Sequence, residues 1–197
     1  SQVSPFNYSI AFADANNGMI AGGGGNISKT TDGGTTWTTA TLPQTNWAYF
    51  DIEVVSLQEI YLAGDPQFVW KTTDFGTTWS SLPIIPVSGP ASTYIWYSID
   101  KLGQQLILSG DYGVVARSTD NGATWSAQHQ SLSTQLIFDL DRAPGTGKLL
   151  AVGRQSATGT KQLYTSTDQG LNWSSQDLGV NFNASSISMA NSQVGYI

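Results

Sequence analysis

The sequence predicts an all-β chain of repeated four-stranded antiparallel sheets, the blade plan of a propeller, and three observations carry that prediction. A short pattern recurs four times, as KTTDGGTTW (29–37), KTTDFGTTW (71–79), RSTDNGATW (117–125) and TSTDQGLNW (165–173). Its aspartates, Asp32, Asp74, Asp120 and Asp168, stand 42, 46 and 48 residues apart, a period that suits one blade of four short strands. A small apolar strand ending in glycine precedes each copy, and Gly22, Gly64, Gly110 and Gly153 lie 10, 10, 10 and 15 residues before the aspartate.

Each unit then divides into four strands by alternation and β-branched content, with no helical periodicity. The first, about 5–43, reads YSIAFAD, GMIAGG, NISKTT and TTWTTATL; the second, 44–86, reads YFDIEVV, EIYLAG, FVWKTT and TTWSSL. The third, 87–131, reads YIWYSID, QLILSG, VVARST and ATWSAQ, and the fourth, 132–180, reads LIFDLD, KLLAVG, QLYTST and LNWSSQ. Five extra residues fall within RQSATGTK of the fourth unit and are expected to form an exposed loop. SSISMANSQVGYI (185–197) parallels YSIAFADANNGMI (8–20), so a partial fifth unit, 181–197, begins. Residues 1–197 are expected to form one propeller domain, four blades plus the start of a fifth, within a ring of roughly six to eight blades.

Composition narrows the function. Fourteen acidic against eight basic residues give a net charge of −6, which repels nucleic acid and anionic lipid. With no cysteine and one histidine, His129, a disulfide framework and a nitrogen- or thiolate-rich metal site have no ligands. The expectation is no cofactor and no metal. No apolar run approaches the roughly 20 residues of a spanning helix, so no membrane insertion is expected. Only 11% of residues are charged and 44 are Ser or Thr, a balance associated with exported proteins; the expected location is secreted, periplasmic or cell-surface. No basic-then-apolar leader follows Ser1, which leaves a removed signal peptide or an excised piece.

The repeated pattern has a physical logic. Its aspartate and the Ser or Thr two residues earlier accept hydrogen bonds from turn amides that no strand partner reaches. Gly34, Gly76, Gly122 and Gly170 fit a position of positive φ. Trp37, Trp79, Trp125 and Trp173 are expected to open the outgoing strand and wedge between neighbouring sheets, each shielding about 200 Å². Each box carries one carboxylate, whereas calcium loops need several that converge, so the boxes are structural.

S/T-x-D-x-G-x-T-W identifies the Asp-box, or BNR, repeat. Three copies match throughout, and the fourth has Asn172 where Thr is usual. Residues 18–37, GMIAGGGGNISKTTDGGTTW, resemble the repeats of photosystem II stability/assembly factor-like propellers. That resemblance implies a non-catalytic assembly scaffold. Sialidases, xyloglucanases and sortilin-type receptors share the box more distantly; sortilin's cysteine-rich companions are missing. A sialidase needs an arginine cluster, and this chain has three arginines, of which Arg142 in DRAPG only faintly echoes the sialidase R-x-P pattern.

The leading functional expectation is a non-enzymatic exported binding or scaffold module, part of a larger chain or assembly, that recognises a protein or polysaccharide. Strand parity puts the second-to-third turns and the blade-to-blade connections at the end opposite the boxes, and these segments vary most. Loops on a rigid scaffold are where binding usually resides. Trp47, Tyr49, Phe68, Tyr94, Trp96 and Tyr112 fall there as binding candidates, although Tyr49 and Trp96, beside strand starts, also suit seams between blades. The alternative is a xyloglucanase-like or sialidase-like glycoside hydrolase fragment. Asp65 and Asp111 both follow the landmark glycine and are its weak catalytic candidates, because inverting hydrolysis needs two carboxylates roughly 6.5–9.5 Å apart. His129 reads as a solvated loop residue. The sequons at Asn7, Asn26, Asn172 and Asn183 matter only in a glycosylating host.

Overall fold

The computed structural model describes residues 6–40, 42, 47–65, 68–83, 85, 87, 94–129, 135–155, 159–179 and 184–197. Two compact units divide the chain: Ser1–Ile84 with Thr93–Lys101, and Ile85–Ser92 with Leu102–Ile197. The described residues contain no α-helix.

In the first unit, β1 (Asn7–Phe12), β2 (Gly18–Gly22), β3 (Ile27–Thr30) and β4 (Thr38–Ala40) pair in chain order as one antiparallel sheet. A second sheet, β5 (Tyr49–Ser56), β6 (Glu59–Gly64), β7 (Val69–Thr72) and β8 (Ser80–Ser81), repeats the plan. Along β9 (Trp96–Leu102) the chain passes from the first unit to the second. There β10 (Gln105–Gly110), β11 (Val114–Ser118) and β12 (Ser126–His129) form a meander. β13 (Gln135–Arg142), β14 (Leu149–Gln155), β15 (Lys161–Ser166) and β16 (Ser174–Asp177) form a further four-stranded sheet. The partial unit contributes the ribbon β17 (Ser188–Met189) and β18 (Gly195–Tyr196).

The second strand of each sheet is apolar on both faces because it is covered on both: from Ile60 to Gly64 in β6 and from Leu106 to Gly110 in β10 every residue is buried. In the first unit Met19, Ile27, Ile52, Ile60 and Leu62 share one core, and in the second Ile107, Leu140, Leu149 and Tyr164 share another.

Two details depart from the sequence reading. The outgoing strands begin one residue after the box tryptophan, at Thr38, Ser80, Ser126 and Ser174. The tryptophans belong to the turn and are half-buried rather than engulfed. Trp37 and Trp173 fold back so that the indole Nε1–H donates to the carbonyl of Gly34 (3.0 Å) and Gly170 (3.2 Å). The fourth-unit insertion is also not all loop. Arg154 pairs with Lys161 across β14 and β15, so the hairpin is lengthened, and residues 156–158 lie outside the described residues.

The landmark glycines are explained by contact. A Cβ on Gly22, Gly64 or Gly153 would overlap the carbonyl oxygen of Phe6, Ala48 or Leu136, at the start of the first strand. Opposite each glycine the first strand bulges: the register skips one residue between Asn7 and Ser9, Tyr49 and Asp51, and Ile137 and Asp139. The skipped residues are Tyr8, Phe50 and Phe138, all aromatic, and bulges re-aim such a side chain out of the ladder.

Candidate binding face and structural boxes

All four boxes close the same way. Ser or Thr at the head of the box donates to the aspartate Oδ1 at 2.8–2.9 Å and accepts from the box glycine amide, as Thr72 does from Gly76 at 3.0 Å. The aspartate then takes the amide of the residue four positions on with Oδ1 and its side chain with Oδ2: Thr36, Thr78 and Thr124 each donate a hydroxyl at 2.5–2.7 Å. Asn172 departs from the pattern in sequence only, because its Nδ2 reaches Asp168 Oδ2 at 2.7 Å where the hydroxyl would be.

The box glycines have φ of +89°, +74°, +83° and +85°. The residue before each is also left-handed, and three of these are not glycine: Phe75 (51°), Asn121 (57°) and Gln169 (61°). In Asp74 and Asp120 the threonine hydroxyl, then the threonine amide and the Ser or Thr at the box head, hold the carboxyl down to about 2 from 3.8. Asp168 is lowered to about 2 by the Asn172 side chain and amide in the same places.

A depressed carboxyl binds fewer protons in the folded state, so its contribution is complete above the unfolded value near 4 and disappears as the pH falls through about 2. The thermal midpoint, followed by circular dichroism, is therefore expected to drop between pH 4 and pH 2, and Asp74→Asn should flatten that slope. An unchanged slope in the variant would refute the assignment.

The opposite end of each sheet carries the second-to-third turns. In the first sheet Gly23–Gly25 makes this turn with Gly24 at φ 69°; in the second unit Asp111–Gly113 repeats it, and Tyr112 occupies the left-handed position at φ 54°. An L-residue held there stores strain of the order of 1 kcal/mol, and the turn presents the tyrosine ring at 36% exposure.

The six predicted binding residues separate on burial. Tyr49, Tyr94 and Trp96 are 1%, 2% and 0% exposed, so their rings fill the interior. Trp47 and Phe68 remain half-buried and stack on one another, with centroids 5.4 Å apart and planes 8° from parallel. Residues 43–46, 66–67 and 88–93, much of the sequence's variable connections, lie outside the described residues.

Asp65 and Asp111 are set by their turns. The Asp65 amide donates to the Ala48 carbonyl at 2.9 Å, and Asp111 opens its 3-10 turn; the two fall in different compact units. No group of three or more His, Asp or Glu side chains among the described residues is placed to hold a metal. His129 ends β12, and Arg142 ends β13, where its amide donates to Asp141 Oδ1 at 2.7 Å.

Sequence reasoning missed two polar arrangements. Tyr61, buried in β6, donates its hydroxyl to Glu59 Oε1 at 2.7 Å, and Lys101 and Lys71 approach the same oxygen at 3.4 and 3.6 Å. Burial raises the Tyr61 pKa, and the bonded Glu59 raises it further. For Glu59 burial works against the charge, yet the Tyr61 hydroxyl and the two ammonium groups bring it below the usual carboxylate range. A tyrosine paired with a glutamate is a sialidase device, but this ring is 0% exposed and flanked by lysines, so it braces the sheet.

The second is a clamp between first strands. Asp51 Oδ1 accepts from Ser9 Oγ (2.8 Å) and the Ile52 amide (2.8 Å), and its Oδ2 accepts from Ser98 Oγ (3.1 Å) and the Ile99 amide (2.9 Å). In the second unit Asp139 Oδ2 repeats this with Ser186 Oγ (2.8 Å) and the Ile187 amide (2.9 Å). An aspartate in a strand offers no periodic signal, and only the partner strand reveals its use.

Comparison with known proteins accords with this geometry. The chain superposes on a solved structure titled YCF48 bound to D1 peptide with a TM-score of 0.72 and 24% identity, covering 92% of this chain and 56% of that one. It also superposes on YCF48 from Cyanidioschyzon merolae with a TM-score of 0.73 and 19% identity, covering 96% and 62%. The chain thus spans about three fifths of the length of these relatives. A GH74 xyloglucanase from Xanthomonas campestris aligns at a TM-score of 0.64 and 14% identity over 84% of this chain and 29% of that one. These likenesses establish the β-propeller fold, and no curated protein matches. Residues 164–175 match the BNR/Asp-box repeat, and residues 2–158 match the family described as Photosynthesis system II assembly factor YCF48, to which this chain belongs.

Proposed function

We propose that this chain is a non-enzymatic, exported binding module that holds an extended segment of a protein partner on the sheet ends opposite the Asp boxes. The observation that carries this reading is the stacked Trp47–Phe68 pair, half-buried at the end of the sheet where the variable connections run. Rigid aromatic rings there bury area on a ligand with little further loss of conformational freedom. In the second unit Tyr112, held in a left-handed turn, offers an aromatic contact of its own. Support also comes from the family, whose description is that of an assembly factor, and from the relative that carries a peptide. Glycan stacking on the same rings is the second ligand class.

The test is a peptide array and a glycan array probed with the purified chain. A peptide hit should lose at least tenfold in affinity in Trp47→Ala or Tyr112→Ala, about 1.4 kcal/mol or more, with the fold retained by circular dichroism. Glycan binding alone, unaffected peptides, or affinity indifferent to both substitutions would overturn the reading. Hydrolysis of xyloglucan that disappears in Asp65→Asn or Asp111→Asn would replace it with the hydrolase that the xyloglucanase likeness suggests.

A further inference from the structure

We propose that the outer face of the first sheet, centred on Ile10 and Ile20, is an interaction surface for a second copy of this chain, which enters it with Tyr196. None of the residues assigned above to peptide binding takes part.

The repeat shows how such a face is normally covered. In the second sheet Ile52 and Leu62 are partners across β5 and β6, and both are buried in one core with Met19, Ala21 and Ile27 of the first sheet. Ile10 pairs with Ile20 in the same register, just after the bulge of β1. The corresponding residues of the other first strands are Ile52, Ile99, Leu140 and Ile187, which are 3–5% exposed, whereas Ile10 is 57% exposed. Phe12, two residues further along β1, is 41% exposed, and Ile20 is half-buried. Tyr8 leaves this row at the bulge: it stacks on Phe50 at 5.1 Å, and Phe50 meets Tyr97 edge-on at 5.2 Å. An apolar strand face left open in this way marks an association surface.

Strand pairing identifies the group that fits it. In the ribbon β17–β18, Met189 pairs with Gly195 and Ser188 with Tyr196, as Phe12 pairs with Gly18 and Ala11 with Met19. Tyr196 therefore holds the position of Met19, the side chain that the first sheet sends into the core of Ile52. Met19 is fully buried, and Tyr196 is 71% exposed. Each copy thus carries both halves of a contact already made within the first unit, the isoleucine face in one compact unit and the knob in the other.

Size and charge agree with this pairing. A cavity of about 210 Å³ lies against Asn7, Tyr8, Ser9, Ile10 and Ile20, the scale of one aromatic side chain, and a ring seated there removes about 150–250 Å² from water. Asn7 in its wall provides hydrogen-bonding groups for the phenol. Residues 6–12 and 185–197 include no charged side chain, so the contact desolvates no side-chain ion. A knob on one unit and a hole on the other do not pair symmetrically. Copies join head to tail, and growth continues until the rotation closes a ring.

The experiment is sedimentation velocity of the full chain over a concentration series, where the average mass is expected to rise above that of the monomer. Ile10→Lys and Tyr196→Ser, both at exposed positions, should each weaken association at least tenfold with the fold retained by circular dichroism. An equimolar mixture of the two variants is then expected to form a dimer that grows no further, because one keeps its Tyr196 and the other its Ile10 face. A parent chain that stays monomeric throughout would assign the face to some other partner and overturn the proposal. Assembly indifferent to Ile10→Lys, Tyr196→Ser assembling like the parent, as a symmetric contact between two Ile10 faces would, or a mixture no more associated than its components would each overturn it as well.

Discussion

Gly64→Ala is expected to cost about 3 kcal/mol or more in the free energy of unfolding, read from urea denaturation of the whole chain. Gly64 ends β6, and its added Cβ would overlap the Ala48 carbonyl oxygen and approach Tyr49 Cα at 2.9 Å. The carbonyl cannot retreat cheaply, because the Asp65 amide holds it at 2.9 Å. Relief requires the bulge at Tyr49–Asp51 to shift, and with it the clamp at Asp51. Overpacking against backbone lies at the upper end of the usual range for such changes. Gly103→Ala is the control. It meets nothing within 4 Å, and its φ of +58° exposes it to backbone strain alone, for which about 1 kcal/mol is expected. Equal costs at the two positions would mean that the landmark glycine is a matter of chain flexibility and not of close approach.

Asp51→Ala is expected to destabilise by a comparable amount, again about 3 kcal/mol. Its carboxylate accepts four hydrogen bonds, two of them from the main-chain amides of Ile52 and Ile99, and the Ile52 amide has the Ser9 hydroxyl at 3.3 Å as a further, longer acceptor. Removing an acceptor from part-buried donors carries their desolvation cost, about 1–3 kcal/mol per group when burial is full. Asp51→Asn should fall between, because the amide keeps one oxygen and turns an N–H toward the donors on the other side. Thermal and urea denaturation of the two variants settle the order. A variant Asp51→Ala as stable as the parent would show that the strand ends are held by apolar contact alone. Asp139 makes the matching bonds to Ser186 and Ile187, and the same ranking is expected there.

Much of the fold was legible because it is written in local chemistry. The box names its turn: a hydroxyl, a carboxylate and a glycine of positive φ specify one hairpin, and the structure has it four times. The landmark glycine was visible as a marker, but its reason was not. Its φ is extended at Gly22, near −166°, so backbone freedom does not explain it, and the oxygen it avoids belongs to a strand many residues earlier. The aromatic candidates show the same division. Trp47, Tyr49, Phe68, Tyr94, Trp96 and Tyr112 look alike as aromatic residues near connections, and burial alone separates the interior rings from those that remain partly exposed. Arg154 and Lys161 were read as parts of a loop; strand pairing made them neighbours.

The sequence by itself determined the repeat, the strand order, the turn chemistry of each box and the poverty of metal and thiol ligands, because each depends on residues close together in the chain. Tertiary structure alone decided which carboxylates became clamps, which bulged rings stacked and which first strand kept an open face. Those outcomes depend on contacts between residues more than 40 positions apart or on the register of paired strands, and no local pattern encodes either.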